Sequence, residues 1–289
     1  MHASWLIVSA AVAVLAGAGR AMPSTPAGSS QNTLDKSDVP SKVVEGTKSL
    51  PTVPEVKAVN ERFPHAVLFG RTCGGTIISP NWILTAGHCT LFGNGYTVLA
   101  GTNNTIDGSG VTRYVKRQVI HPLFSVGPYW LDADDFNITQ VAARWDFLLV
   151  ELEEPLPLDG KTMAAAKIND EASLPDGLHV GYGGYGTDHH GGTMRHEMHG
   201  MELAVQADDV CKSLEQFNPE DMLCVKGRPP RYDSACNGDS GSGLVDETGR
   251  IVGIASWVEN DAHACFNGAL VVFSRVSSVR DWIKTVTGL

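Results

Sequence analysis

The chain has 289 residues, 43% hydrophobic and 19% charged, with 31 Gly and 15 Pro. This is ample apolar content for a core and excludes disorder over most of the length. Asp and Glu outnumber Lys and Arg 32 to 22, which argues against a partner held by its phosphate backbone, since such binders cluster basic residues. Six cysteines are an even number suited to three staples in an oxidising compartment.

At the amino terminus, Trp5 to Gly19 is a run of small and apolar residues with the length of a signal-peptide hydrophobic region, short of a bilayer span. Ala16-Gly17-Ala18 and Gly19-Arg20-Ala21 both offer small-x-small cleavage patterns, the second giving a signal peptide over 1–21 and a secreted product. Residues 22–42 carry Pro, Ser, Thr and Gly without period or aromatic residues and read as a spacer.

From Val43 onward, β-rich runs alternate with turn signals: Ala66–Phe69, Gly74–Ile78, Tyr96–Ala100, Tyr114–Ile120, Phe147–Leu152, Leu178–Tyr182, Met201–Val205, Gly243–Trp257 and Ala269–Val276. Many short strands separated by Gly and Pro suggest barrels or sandwiches. One helix is expected, over 279–287. There Val279, Trp282, Ile283 and Val286 share a face, and Ser278 with Asp281 forms a capping-box pattern.

Three segments carry chemistry: Leu84-Thr85-Ala86-Gly87-His88-Cys89, Trp145-Asp146-Phe147 and Cys236-Asn237-Gly238-Asp239-Ser240-Gly241-Ser242-Gly243. A hydroxyl is a poor nucleophile near neutral pH. It needs an imidazole to take its proton and a carboxylate to fix that imidazole's tautomer. His88, Asp146 and Ser240 supply these parts.

In that order and with those flanking residues, the chain resembles the chymotrypsin-like (trypsin-type) serine peptidases from Val43 to the C-terminus. The resemblance implies two packed six-stranded antiparallel β-barrels, about 43–155 and 156–276, with a C-terminal helix and a cleft between the barrels. It implies a serine endopeptidase using His88 as base, Asp146 as orienter and Ser240 as nucleophile. Backbone N–H groups of Gly238 and Ser240 would form the oxyanion hole, Ser256 would support Asp146, and the backbone that follows would pair with substrate. Family pairing gives disulfides Cys73–Cys89, Cys211–Cys224 and Cys236–Cys265. A zinc site is a poor alternative because no pair has C-x2-C spacing, and no cofactor or metal is implied.

Lys42 before Val43-Val44-Glu45-Gly46 resembles the family's activation junction. The implied protein is a zymogen with a propeptide over 22–42, cut after Lys42 by an activating protease, whose freed Val43 ammonium would pair with Asp239. At the base of the specificity pocket the family position is Ser234 here, with Val258 and Val271 at the walls and Ser256 and Trp257 beside them. Without a carboxylate at the base, cleavage after Lys or Arg is disfavoured. The expectation is elastase-like preference for small or medium apolar residues, with chymotrypsin-like cleavage after larger ones as second choice. Protein or peptide substrates and protein inhibitors are the expected partners of a monomer that binds neither nucleic acid nor membrane. The competing class is a catalytically silent homologue acting as a secreted binding protein; an intact triad argues against it.

Asn103-Asn104-Thr105 and Asn137-Ile138-Thr139 are glycosylation sequons. The connection from His121 to Asp146, holding Tyr129, Trp130 and Phe136, is longer than usual in the family, and Glu259–Ala264 lengthens another rim. His189, His190, His196 and His199 read as a solvated loop, one residue short of a zincin motif at His196–His199.

Overall fold

Backbone donors and acceptors in short apolar runs must pair with neighbouring strands, and a sheet that closes on itself leaves no edge unpaired. In the computed structural model, which describes residues 57–92, 95–127, 142–258, 265 and 268–289, this is how the chain folds. The strands in chain order are β1 (Ala66–Phe69), β2 (Cys73–Ser79), β3 (Trp82–Thr85), β4 (Thr97–Ala100), β5 (Val111–Ile120), β6 (Ser125–Gly127), β7 (Ala142–Arg144) and β8 (Leu148–Leu152). They continue as β9 (Lys167–Ile168), β10 (His179–Gly184), β11 (His199–Val205), β12 (Met222–Gly227), β13 (Gly243–Asp246), β14 (Arg250–Val258) and β15 (Leu270–Arg275). Helices α1 (Val59–Arg62) and α2 (Asp208–Cys211) are single turns, and α3 (Arg280–Thr287) closes the chain.

The first barrel closes in the order β1-β2-β3-β8-β5-β4. The second runs β13-β10-β11-β12-β15-β14 and closes through β13–β14, with β9 added in parallel beside β14. Two six-stranded antiparallel barrels were the fold expected. The run Gly243–Trp257, read as one β segment, is a hairpin of two strands. β3, β6, β7, β9 and β12 were missed: β6, β7 and β9 are only two or three residues long, and all four residues of β3 are buried, so it lacks the alternation that marks a half-buried strand.

The first core centres on Phe69, Ile77, Ile83, Leu84, Leu148 and Leu149 and continues into Val245, Ile251 and Ile254 of the second barrel. The second centres on Tyr182, Leu203, Leu223, Val252 and Phe273. Truncating any of these to Ala removes about 2–5 kcal/mol. Glycines let the barrels approach: a Cβ on Gly74 of β2 would overlap Ser242 Oγ, and one on Gly243 would overlap Thr76 Oγ1. Cys73–Cys89, Cys211–Cys224 and Cys236–Cys265 form the three disulfides. By restricting the unfolded chain, each contributes roughly 3 kcal/mol.

The C-terminal stripe behaves as its periodicity predicts, with Val279 and Ile283 buried and Trp282 and Val286 packed on the core. The expected start at 279 is corrected. Val276–Val279 is a 3₁₀ turn, α3 begins at Arg280, and no side chain caps it. Ser278 Oγ instead donates to the carbonyl of Arg275, because the 3₁₀ turn brings that acceptor within its reach. Among the described residues no helix is long and apolar enough to cross a membrane.

His65 is buried beside β1, and desolvation lowers its pKa to about 4 despite a backbone hydrogen bond at Gly243. The unfolded chain therefore binds a proton there at a higher pH than the folded one. Stability is present in full above pH ~6.5 and lost as pH falls toward 4. Going from pH 7 to pH 5 should cost about 2 kcal/mol through this group. Urea unfolding at the two pH values measures it, and His65→Leu should remove most of the difference; an unchanged difference would contradict it.

Candidate active site

The turn Gly87–Phe92 follows β3 and carries His88, its side chain 14% exposed, toward the loop before β8. There Asp146 is fully buried. Its Oδ2 lies 2.6 Å from His88 Nδ1, and its Oδ1 accepts from the His88 backbone N–H at 2.8 Å. Ser256 Oγ donates to Oδ2 at 2.5 Å from the second barrel. The β14–β15 register shifts between Ala255 and Trp257, and such a bulge re-aims a side chain. Burial lowers the His88 pKa, but the Asp146 charge and hydrogen bond outweigh it and the net shift is upward. Burial likewise raises that of Asp146, yet His88 and Ser256 hold it below the ordinary carboxylate value.

What holds Asp146 is a residue the sequence did not reveal. Trp145 has φ +50°, a left-handed conformation costing a non-glycine of order 1–3 kcal/mol. Asp221, fully buried beside β12, accepts the Trp145 backbone N–H at 2.6 Å and Arg144 Nε at 2.7 Å. On the other side His121 stacks on Trp145 at 5.3 Å and meets Trp282 of α3 edge-on at 4.9 Å. Burial raises the Asp221 carboxyl pKa, with the Trp145 and Arg144 hydrogen bonds working against it.

Ser240 is half-buried in the loop between Cys236 and Gly243. Its carbonyl accepts the Gly74 N–H at 2.7 Å, and Gly241 N–H donates to Ala255 at 2.8 Å. Gly238 has φ +92°, open to glycine and poorly tolerated by other residues. Among the described residues nothing accepts from the backbone N–H of Gly238 or Ser240. Asp239 is fully buried and accepts from Gly186 N–H at 3.1 Å and Cys236 N–H at 3.0 Å.

A cavity of about 40 Å³ opens beside Ser240, lined by Ala235, Cys236, Ala255, Ser256, Trp257, Val258 and Val271. Val258 and Val271 are cross-strand partners and narrow it from two sides. Ser234 is buried but is not among these lining residues.

His199 departs from the solvated-loop expectation. It opens β11, is 12% exposed, and its Nε2 stands 3.4 Å from Asp239 Oδ1. His189 does lie in solvent, beside Asp188. Asn103 is half-buried, its side-chain oxygen shielded and its carbonyl accepting from Met198. His88 lies close to Cys73 and Cys89, but both sulfurs are bound in a disulfide and offer a metal no thiolate. Lys42, Val43, Tyr129, Trp130, Phe136, Asn137 and residues 259–264 fall outside the described residues.

The family model described as Trypsin matches residues 54–283. Over 292 aligned residues the chain is 72% identical to Scolexin B of Heliothis virescens, covering 100% of each chain. Trypsin zeta of Drosophila erecta is 31% identical over 75% of this chain and 74% of its own. Chymotrypsin-like elastase family member 1 of Homo sapiens is 29% identical over 74% of this chain and 81% of its own.

Asp221→Ala should leave the Trp145 N–H unpaired and destabilise the fold by about 1–3 kcal/mol. Denaturant titration measures this, and a variant as stable as the parent would refute the clamp.

Proposed function

Since the chain belongs to the trypsin family and is a serine endopeptidase, we propose that His88, Asp146 and Ser240 carry its chemistry in a secreted enzyme made as a zymogen. The observation that supports this most is the 2.6 Å approach of His88 Nδ1 to Asp146. With Nδ1–H donated there, Nε2 is the basic nitrogen. It takes the proton of Ser240 Oγ as that oxygen attacks the scissile carbonyl. The tetrahedral oxyanion is received by the N–H groups of Gly238 and Ser240, one such donor being worth about 3–4 kcal/mol. The same proton then passes to the leaving amine, the acyl group stays on Ser240, and water repeats the cycle to release the acid.

A signal peptide over 1–21 exports the chain, and cleavage after Lys42 by another protease frees the Val43 ammonium to pair with Asp239. A fully buried carboxylate that accepts two backbone N–H groups is suited to a cation partner, because an unpaired buried charge is costly. The enzyme acts as a monomer on protein substrates, after small or medium apolar residues. The narrow cavity between Val258 and Val271 favours such residues, with the walls discriminating by about 1–3 kcal/mol per methylene.

Protonated His88 cannot act as base, and its pKa is raised. The acid limb of kcat/KM should therefore fall with a midpoint above 6.5. A midpoint at or below that value, or no labelling of Ser240 by a fluorophosphonate, would contradict the mechanism. On a panel varying the residue before the scissile bond, the active form, beginning at Val43, should cleave fastest after Ala or Val. Fastest cleavage after Arg, or an active form that begins elsewhere, would overturn the specificity or the activation reading respectively.

A further inference from the structure

Asn237 and Gly238 are neighbours in the loop that carries Ser240. An asparagine amide before a glycine is chemically labile, because the glycine has no Cβ to hinder attack by its own backbone nitrogen on the amide carbon. The chain holds three such pairs, Asn94–Gly95, Asn237–Gly238 and Asn267–Gly268. Only the second lies wholly within the described residues.

The fold leaves that pair open to the reaction. Asn237 is exposed and Gly238 half-buried, in a turn that the Asp239 N–H closes onto the Cys236 carbonyl at 3.0 Å. Gly238 has φ +92°, and among the described residues nothing accepts from its N–H. Its nitrogen is therefore uncommitted. Among those residues the peptide group joining the pair is held by one bond, from Thr187 N–H to the Asn237 carbonyl at 2.8 Å, and the glycine after it lets the plane rotate. The side-chain amide is held and polarised: Gly191 N–H donates to Asn237 Oδ1 at 3.1 Å. A donor on that oxygen stabilises the negative charge that grows there as the carbon is attacked.

We propose that Asn237–Gly238 is a self-modification site that retires the enzyme by consuming a donor of its own oxyanion hole. The Gly238 nitrogen attacks Asn237 Cγ. The N–Cγ bond forms, the Cγ–Nδ2 bond breaks, and Nδ2 leaves as ammonia with the proton of the Gly238 N–H. The cyclic imide that remains has no hydrogen on the Gly238 nitrogen. Water then opens it. Addition at Cγ leaves an aspartate at 237, and addition at the backbone carbonyl leaves an isoaspartate, with an extra methylene in the main chain before Gly238. No oxidant or second enzyme takes part. The proposal rests on the reading of Gly238 as an oxyanion donor and adds a lifetime to it: the imide lacks that donor and the isoaspartate displaces it. A phosphonyl or acyl group on Ser240 engages the same N–H, so occupied enzyme is protected and idle enzyme ages.

The test incubates the full chain, and the form cut after Lys42, at mildly alkaline pH and follows the peptide around each Asn–Gly pair by mass spectrometry. The Asn237 peptide should lose the mass of one ammonia and then regain one water as two separable isomers. Activity per intact chain should fall with the imide and isoaspartate fraction, those forms turning over about 10²–10³-fold more slowly. Asn237→Gln keeps an acceptor for Gly191 but must close a larger ring, and should lose activity about tenfold more slowly than the parent. Labelling Ser240 with a fluorophosphonate should slow cyclisation at Asn237 and leave Asn94 and Asn267 unchanged. The mass readout needs no turnover, so a chain that hydrolyses nothing defeats the peptidase reading while Asn237 still converts. An Asn237 peptide that keeps its mass while Asn94 or Asn267 converts, a decay that Asn237→Gln does not slow, or equal cyclisation in labelled and free enzyme would overturn the proposal.

Discussion

A carboxylate with no exposed surface is unfavourable unless its oxygens are filled, and Asp146 is filled from both barrels: twice by His88 and once by Ser256. That arrangement joins the turn after β3 to the bulge in β14. It persists because the residues before it are pinned. Asp221 takes the strained Trp145 backbone and the Arg144 side chain, and His121 wedges Trp145 against the C-terminal helix. The helix thereby reaches the proposed catalytic carboxylate through a single imidazole. In the proposed mechanism the preorganisation that lowers the barrier is stored in this packing.

The loop carrying Ser240 is set by a different device, close backbone approach. Gly74, Gly241 and Gly243 sit where any side chain would meet Ser242, Thr85 or Thr76. β2 and the loop around Ser240 therefore press together without filler. Cys73–Cys89 fixes the histidine turn to the same strand, and Cys236–Cys265 fixes the start of the loop.

Much of this was legible in the sequence, for identifiable reasons. Acyl transfer by a hydroxyl demands particular residue types, so His88, Asp146 and Ser240 could be singled out with their flanking glycines and cysteines, and the fold brings His88 and Asp146 together. The alternating strands were readable because one face is wet. β3 and β12 carry no such alternation and were missed, whereas β2 and β15, equally buried, were found as β-rich runs bounded by turn signals. Asp221 was illegible because its importance is to a backbone N–H distant in sequence, and no motif records such a partner. His199 was misread with its neighbours as solvated. Only the β10–β11 pairing brings it to Asp239. The Ser278 capping pattern was present but unused, because the preceding 3₁₀ turn offered the hydroxyl a nearer acceptor.

The account rests on Asp146 acting through His88, and replacing its carboxylate by an amide of the same shape tests that directly. Asp146→Asn keeps an acceptor for one donor but can present an N–H to His88, favouring the tautomer that leaves Nε2 without a free lone pair. The measurement is kcat on a peptide substrate for activated, correctly folded Asp146→Asn against the parent near neutral pH. The account predicts a fall of about 10⁴-fold with the melting transition retained. A folded variant within about tenfold of the parent would contradict it.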